Sequence, residues 1–180
     1  MTIVDVFDAA LEGNVNEFYR YFDSNVNQVN KYTRLNLLST VVLDDTNAEG
    51  RIKIIKTLLF RGIDATFIDS KFKRNALHAL FFSWSRQSPS FVYDAAELLI
   101  EYGVDLNATD KFNSIPLKYA ITVPKHPTDE LKRVYLLLLE NGSDYCSKDI
   151  FGKSCLDYAE EYSWRNDFID IVKEFENDKY

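Results

Sequence analysis

Sulfur, histidine and helix-breaking residues are scarce: the 180 residues include two Cys, two His, one Met, six Gly and four Pro. Cys146 and Cys155 are too few for a disulfide framework or a zinc site, so both read as reduced thiols. So little Gly and Pro argues against a linker-rich or disordered chain. Positive charge is also short, with 21 Lys and Arg against 28 Asp and Glu and a net charge of −7. Such a balance disfavours general phosphate-backbone contact, and no nucleic-acid partner is expected. The longest aliphatic run, residues 136–139, is far below the roughly 18 residues of a membrane span, so no membrane is expected either. The start, Met1-Thr-Ile-Val-Asp5, has an acid where a secretory leader needs Lys or Arg, and a cytoplasmic location is the expectation.

Aromatic residues are plentiful, with 13 Phe, 11 Tyr and two Trp. The length suits one domain, and at this size folding buries about 70% of the unfolded surface. Self-similarity is the main internal signal. Asn75-Ala-Leu-His-Ala-Leu80, Ile115-Pro-Leu-Lys-Tyr-Ala120 and Ser154-Cys-Leu-Asp-Tyr-Ala159 align almost without gaps, and Leu35-Asn-Leu-Leu-Ser-Thr40 is a fourth copy. Their central leucines, taken as Leu37, Leu77, Leu117 and Leu156, are separated by 40, 40 and 39 residues, a period that belongs to stacked-repeat architectures. A second signal keeps the same phase: Gly62-Ile-Asp64, Gly103-Val-Asp105 and Gly142-Ser-Asp144, followed seven residues after each Gly by Asp69, Asp110 and Asp149.

Each unit reads as helix, loop, helix and turn. Leu131, Val134, Tyr135, Leu138 and Leu139 fall at helical spacing, as do Phe168, Ile171, Val172 and Phe175, so one stripe of each second helix faces the stack. Thr128 with Asp129 and Glu130 reads as an N-cap followed by acids at the positive end of the dipole, and Gly62, Gly103 and Gly142 read as helix stops.

These motifs carry a resemblance. Asp149-Ile-Phe-Gly152-Lys-Ser-Cys-Leu156-Asp-Tyr-Ala159 resembles the opening of an ankyrin repeat, and Leu98-Leu-Ile-Glu-Tyr-Gly-Val-Asp-Leu-Asn-Ala108 resembles its close. Only His78 and Pro116 keep the family's His and Pro. The resemblance implies an all-α ankyrin-repeat solenoid in a single domain, 1–180. Residues 1–30 would be an N-terminal capping repeat, 31–70, 71–110 and 111–149 inner repeats, and 150–180 a C-terminal cap. Against the family's common spacing, each inner repeat carries six or seven extra residues, at 43–50, 83–90 and 122–128, and these insertions are expected to stack along one edge.

No catalytic constellation assembles, and neither an enzyme nor a cofactor is expected. Cys155 takes the place of a buried Pro, the resemblance gives His78 a role tying its turn together, and His126 between Pro124 and Pro127 reads as a solvated loop residue. Asp44, Asp45 and Glu49 read as a polar loop rather than a metal site. Binding is the stronger signal. The tip positions implied by the resemblance give Tyr32, Phe72, Phe112 and Phe151, with Lys71 and Lys111 before two of them and Arg34 and Arg74 nearby. Trp84 with Arg86 and Trp164 with Arg165 follow their first helices at matching places and form a second candidate edge. Aromatic and Arg residues dominate interface hot spots. The expectation is a monomeric, non-catalytic protein-binding module, a cytoplasmic inhibitor or adaptor, with a bacterial immunity protein neutralising a toxin as its narrower form. The alternatives are a ligand-responsive regulator or enzyme with a groove between the insertions and the concave face, and a self-associating scaffold.

Overall fold

Five helix pairs, each too short to bury its own apolar side, complete one another's cores by stacking in a row. The computed structural model describes residues 2–84 and 87–178. The pairs are α1 (Val6–Leu11) with α2 (Val15–Tyr21), α3 (Leu37–Val41) with α4 (Ala48–Phe60), α5 (Ala76–Ser83) with α6 (Pro89–Glu101), α7 (Pro116–Thr122) with α8 (Thr128–Glu140), and α9 (Cys155–Glu161) with α10 (Asp167–Asn177). No strand occurs among the described residues, where the one bridge joins Val29 and Asn36. No helix among them is long and apolar enough to cross a membrane.

The odd-numbered helices touch in succession, α1 to α3 to α5 to α7 to α9, and the even-numbered ones do the same. Two helix layers result. The odd helices are sandwiched on several sides, so α5 buries Ala76, Leu77, His78, Ala79, Leu80 and Phe81 consecutively, with no amphipathic period. The even helices carry the stripe read from the sequence: Leu131, Val134, Tyr135, Leu138 and Leu139 of α8 are buried, as are Phe168, Ile171 and Val172 of α10, with Phe175 at the margin.

The helix caps fix the repeat register, and they move one sequence assignment. Asn36, Asn75 and Ser154 are N-caps whose side chains accept from the backbone N–H of Ser39, His78 and Asp157 at 2.8, 3.1 and 3.2 Å. Counting from the cap, Leu38 rather than Leu37 is the partner of Leu77 and Leu156, because two adjacent leucines made either alignment possible. Thr128 is not an N-cap: Pro127 holds that position and the Thr128 hydroxyl donates to the Trp164 carbonyl at 3.0 Å. Gly62, Gly103 and Gly142 do end α4, α6 and α8 at φ of +76°, +84° and +88°, with space for a Cβ, so their requirement is conformational. Gly50 is different, since a methyl there would collide with the Gly13 carbonyl where α4 crosses the first pair.

The inserted segments lie at the ends of the odd helices and bond to one another in sequence. Asp45 Oδ2 accepts from Ser88 N at 2.7 Å, and His126 Nε2 lies 3.0 Å from the Gln87 carbonyl. Buried arginines close both ends of this brace. Arg51 donates to the carbonyls of Thr46, Val41 and Leu11. Arg165, in a short 3-10 turn (Ser163–Arg165), donates to the carbonyls of Ile121, His126 and Pro124.

Three expectations change as a result. Trp84 is fully buried, its indole N–H donating to the Gln87 carbonyl at 2.9 Å, and Arg165 is fully buried as well, so neither offers surface to a partner. His126 is a half-buried bridge between two insertions rather than a solvated turn residue. Arg86 lies outside the described residues. Trp84→Ala should cost about 3–5 kcal/mol by leaving a cavity, and Arg165→Met about 3 kcal/mol by orphaning buried carbonyls, both read in urea melts.

Candidate functional site

Between consecutive pairs the chain makes a tight tip turn, and each turn is built around one side-chain acceptor at its start. Asn30 Oδ1 accepts from Tyr32 N and Thr33 N at 2.9 and 3.0 Å. Asp69 accepts from Lys71 N, Phe72 N and Arg74 N at 2.7, 2.7 and 2.9 Å. Asp110 takes Phe112 N and Ser114 N, and Asp149 takes Phe151 N and Lys153 N. A carboxylate can collect several backbone donors at once, which is why Asp recurs seven residues after each helix-ending Gly.

One residue per turn adopts positive φ: Arg34 at +67°, Lys73 at +61°, Asn113 at +54° and Gly152 at +73°. Aligned on these, Thr33, Phe72, Phe112 and Phe151 share a column, and Tyr32 stands with Lys71, Lys111 and Ile150. The first tip is therefore one residue out of the register read from sequence, in step with the shift from Leu37 to Leu38. Tyr32 is still on the face, 81% exposed, and Phe151 is 69% exposed, while Phe72 and Phe112 are half-buried.

The tips carry Lys31, Arg34, Lys71, Lys73, Arg74, Lys111 and Lys153 and no acidic residue beyond the turn carboxylates. Several of these cations lie over rings. The Arg74 guanidinium is 4.0 Å from the centre of the Phe82 ring, 4.9 Å from Tyr119 and 5.1 Å from Phe72. Lys111 Nζ lies 4.8 Å from Phe72 and 5.5 Å from Phe112, and Lys118 Nζ lies 4.5 Å from Tyr119 and 5.2 Å from Tyr158. Burial lowers the Lys118 pKa, with Asp149 and Asp110 opposing the shift. Sequence reasoning missed Phe82, Lys118, Tyr119 and Tyr158; for the last three the spacing from the tips at the starts of α7 and α9 was the available signal, whereas Phe82 lies in the last turn of α5.

Arg74 Nε meets Asp110 Oδ2 at 3.2 Å, and the Tyr119 hydroxyl donates to the same oxygen at 2.6 Å. Burial would raise the Asp110 carboxyl, but hydrogen bonds from Tyr119, Phe112, Ser114 and Arg74 outweigh it and hold the group below its ordinary value. Tyr158 repeats the arrangement on Asp149 at 2.6 Å. Exposed carboxylates gather on the even helices, Asp94, Glu97 and Glu101 of α6, Asp129, Glu130 and Glu140 of α8, Asp170 and Glu174 of α10, and also on α9, where Glu161 pairs with the tip residue Lys153. Trp164, of the second candidate edge, is 56% exposed and stacks on Tyr162 at 4.9 Å.

The Cys and His side chains have structural surroundings. His78 has Nδ1 2.9 Å from Asn75 Oδ1 and Nε2 2.9 Å from the Ser114 carbonyl, tying two turns together, and burial lowers its pKa. Cys155 is buried and its thiol pushed well up by that burial, whereas Cys146 is exposed. What the geometry defines is an all-helical chain with a cationic, aromatic tip face. Neither a family model nor a curated protein matches this sequence.

Two measurements check this description. Asp110→Asn should cost about 1–3 kcal/mol at neutral pH. Because the folded carboxyl is depressed, that difference should hold down to about pH 4 and close as the pH falls further; a gap that persists at lower pH would contradict the assignment. Thiol titration should find Cys146 in the native chain and Cys155 only after unfolding.

Proposed function

We propose that the stack is an ankyrin-type solenoid and that it works by binding another protein without chemistry, as a cytoplasmic inhibitor or adaptor. The observation that carries this reading is the tip face, where cations held over aromatic rings sit on a chain whose overall charge is −7. A cation pinned on a ring loses little further freedom when a carboxylate arrives, so such a face suits an acidic surface on the partner. Tyr32, Phe72 and Phe112 are the aromatic anchors of this reading, with Lys71 and Lys111 steering approach.

The narrower form, an immunity protein that neutralises a basic toxin, draws on the other face, where Asp129, Glu130, Asp170 and Glu174 are exposed. One experiment separates the two. The wild-type chain, a Lys31→Glu/Lys111→Glu variant and an Asp129→Lys/Asp170→Lys variant, each verified as folded, are used to capture partners from the source organism under quantitative mass spectrometry. An acidic protein lost selectively by the tip variant supports the tip face; a basic protein lost only by the second variant supports the immunity form. Equal recovery by all three defeats both.

A further inference from the structure

The tip face is uneven, and the unevenness has a size and a place. Consecutive tips are joined by backbone hydrogen bonds from Lys111 N to the Phe72 carbonyl at 2.8 Å and from Ile150 N to the Phe112 carbonyl at 3.0 Å. Among the described residues no such bond joins the first tip to the second, because Lys71 N, the equivalent donor, turns to Asp69 Oδ1 instead. At this gap lies a cavity of about 230 Å³ lined by the apolar groups of Tyr32, Leu35, Leu43, Phe72, Ala79 and Phe82 and by Lys71, Arg74 and Asp69.

The register of the helix caps explains why the gap is open here. Counted from the caps, one column of the odd helices reads Thr40, Ala79, Tyr119 and Tyr158. In α7 and α9 the tyrosine fills the space beside its tip turn and its hydroxyl donates to the turn carboxylate, Asp110 Oδ2 or Asp149 Oδ2, at 2.6 Å in both cases. In α5 the same place holds Ala79, which lines the cavity. Among the described residues Asp69 Oδ2 receives only Arg74 N there, at 2.9 Å, and a carboxylate oxygen has capacity for a second donor. The cavity is thus the place a tyrosine occupies in the two later turns.

We propose that this cavity is a docking pocket for a tyrosine side chain presented by an acidic segment of the partner protein. Its ring packs between Phe72 and Phe82, and its hydroxyl donates to Asp69 Oδ2 as those of Tyr119 and Tyr158 do to their own turn carboxylates. The acidic flanks follow from charge. Lys71 lines the cavity beside Arg74, whose guanidinium is already paired with Asp110; Arg34 and Lys73 are exposed on the same two tips, and the one carboxylate among the described lining residues, Asp69, is engaged by three backbone donors. This inference rests on the tip-face reading and narrows it to one subsite and one kind of side chain.

The test uses the full chain and fluorescein-labelled peptides Glu-Asp-X-Asp-Glu with X as Tyr, Phe or Ala, followed by fluorescence anisotropy. The Tyr peptide should bind at least about tenfold more tightly than the Phe peptide, the effect of one hydrogen bond to a charged acceptor, and the Ala peptide more weakly still. Ala79→Tyr should abolish Tyr-peptide binding by filling the cavity from within while the chain stays folded in thermal melts. Should that variant fail to fold, Phe82→Ala, at a side chain 51% exposed, removes one wall and should weaken binding by about tenfold. Equal affinity for the three peptides, or unchanged affinity in the variant that folds, overturns the pocket. A Lys31→Glu/Lys111→Glu variant that still releases its captured partner would then show that the pocket alone has failed; retention of that partner would take the tip face with it.

Discussion

A buried or half-buried side-chain oxygen that gathers the backbone donors of a tip turn is the interaction on which the rest of this architecture depends. Without Asp69, Asp110 and Asp149, the N–H groups of Lys71, Phe72, Ser114, Phe151 and Lys153 would lose their acceptor, and the turn would have no fixed shape. The turn sets where the next odd helix starts, hence which residue is its cap, which leucine faces the core and which side chain stands beside the tip. The carboxylates also shape the surface chemistry. Because their charge is met inside the turn, what projects from the tips is cationic and aromatic.

Much of this was legible in the chain because the constraints recur. A Gly that must take positive φ, an acid seven residues later and a leucine after that recur together, since all three serve the same turn and helix start. The even helices were legible from periodicity, their single apolar stripe being a direct result of lying on one side of the stack. The odd helices were less so, as burial on several sides erases a period, and their place came from the repeated motif alone. The first tip was misread by one residue. Its acceptor is Asn30 rather than Asp, and adjacent Leu37 and Leu38 satisfy the pattern equally well until the Asn36 cap is seen.

The inserted segments marked the limit of sequence reasoning. A tryptophan and an arginine after a helix suit an exposed hot spot and a buried brace equally well by composition. The outcome depends on carbonyls at the ends of α1, α3 and α7 that need donors, and these are invisible in a one-dimensional pattern. Arg51 and Arg165 reach those carbonyls, and Trp84 is buried against Phe81 with its indole N–H on the Gln87 carbonyl. The contrast of Ala79 with Tyr119 and Tyr158 was visible from the start, but became meaningful only when the tyrosine hydroxyls were seen on their turn carboxylates.

The brace has a mechanical consequence. The odd helices α3, α5 and α7 each run from a tip turn to an inserted segment; the inserted ends are held by buried guanidinium groups and by the contacts from Asp45 to Ser88 and from His126 to Gln87, and the later tip ends by the backbone bonds of Lys111 and Ile150 and by His78 on the Ser114 carbonyl. From the second tip onward, neighbouring units are therefore held at both edges. Between the first and second tips, where that backbone bond is missing, a change of angle pivots about the inserted edge and the odd helices convert it into displacement at the tips. Those two units are α3 with α4 and α5 with α6, whose tips share no backbone bond among the described residues.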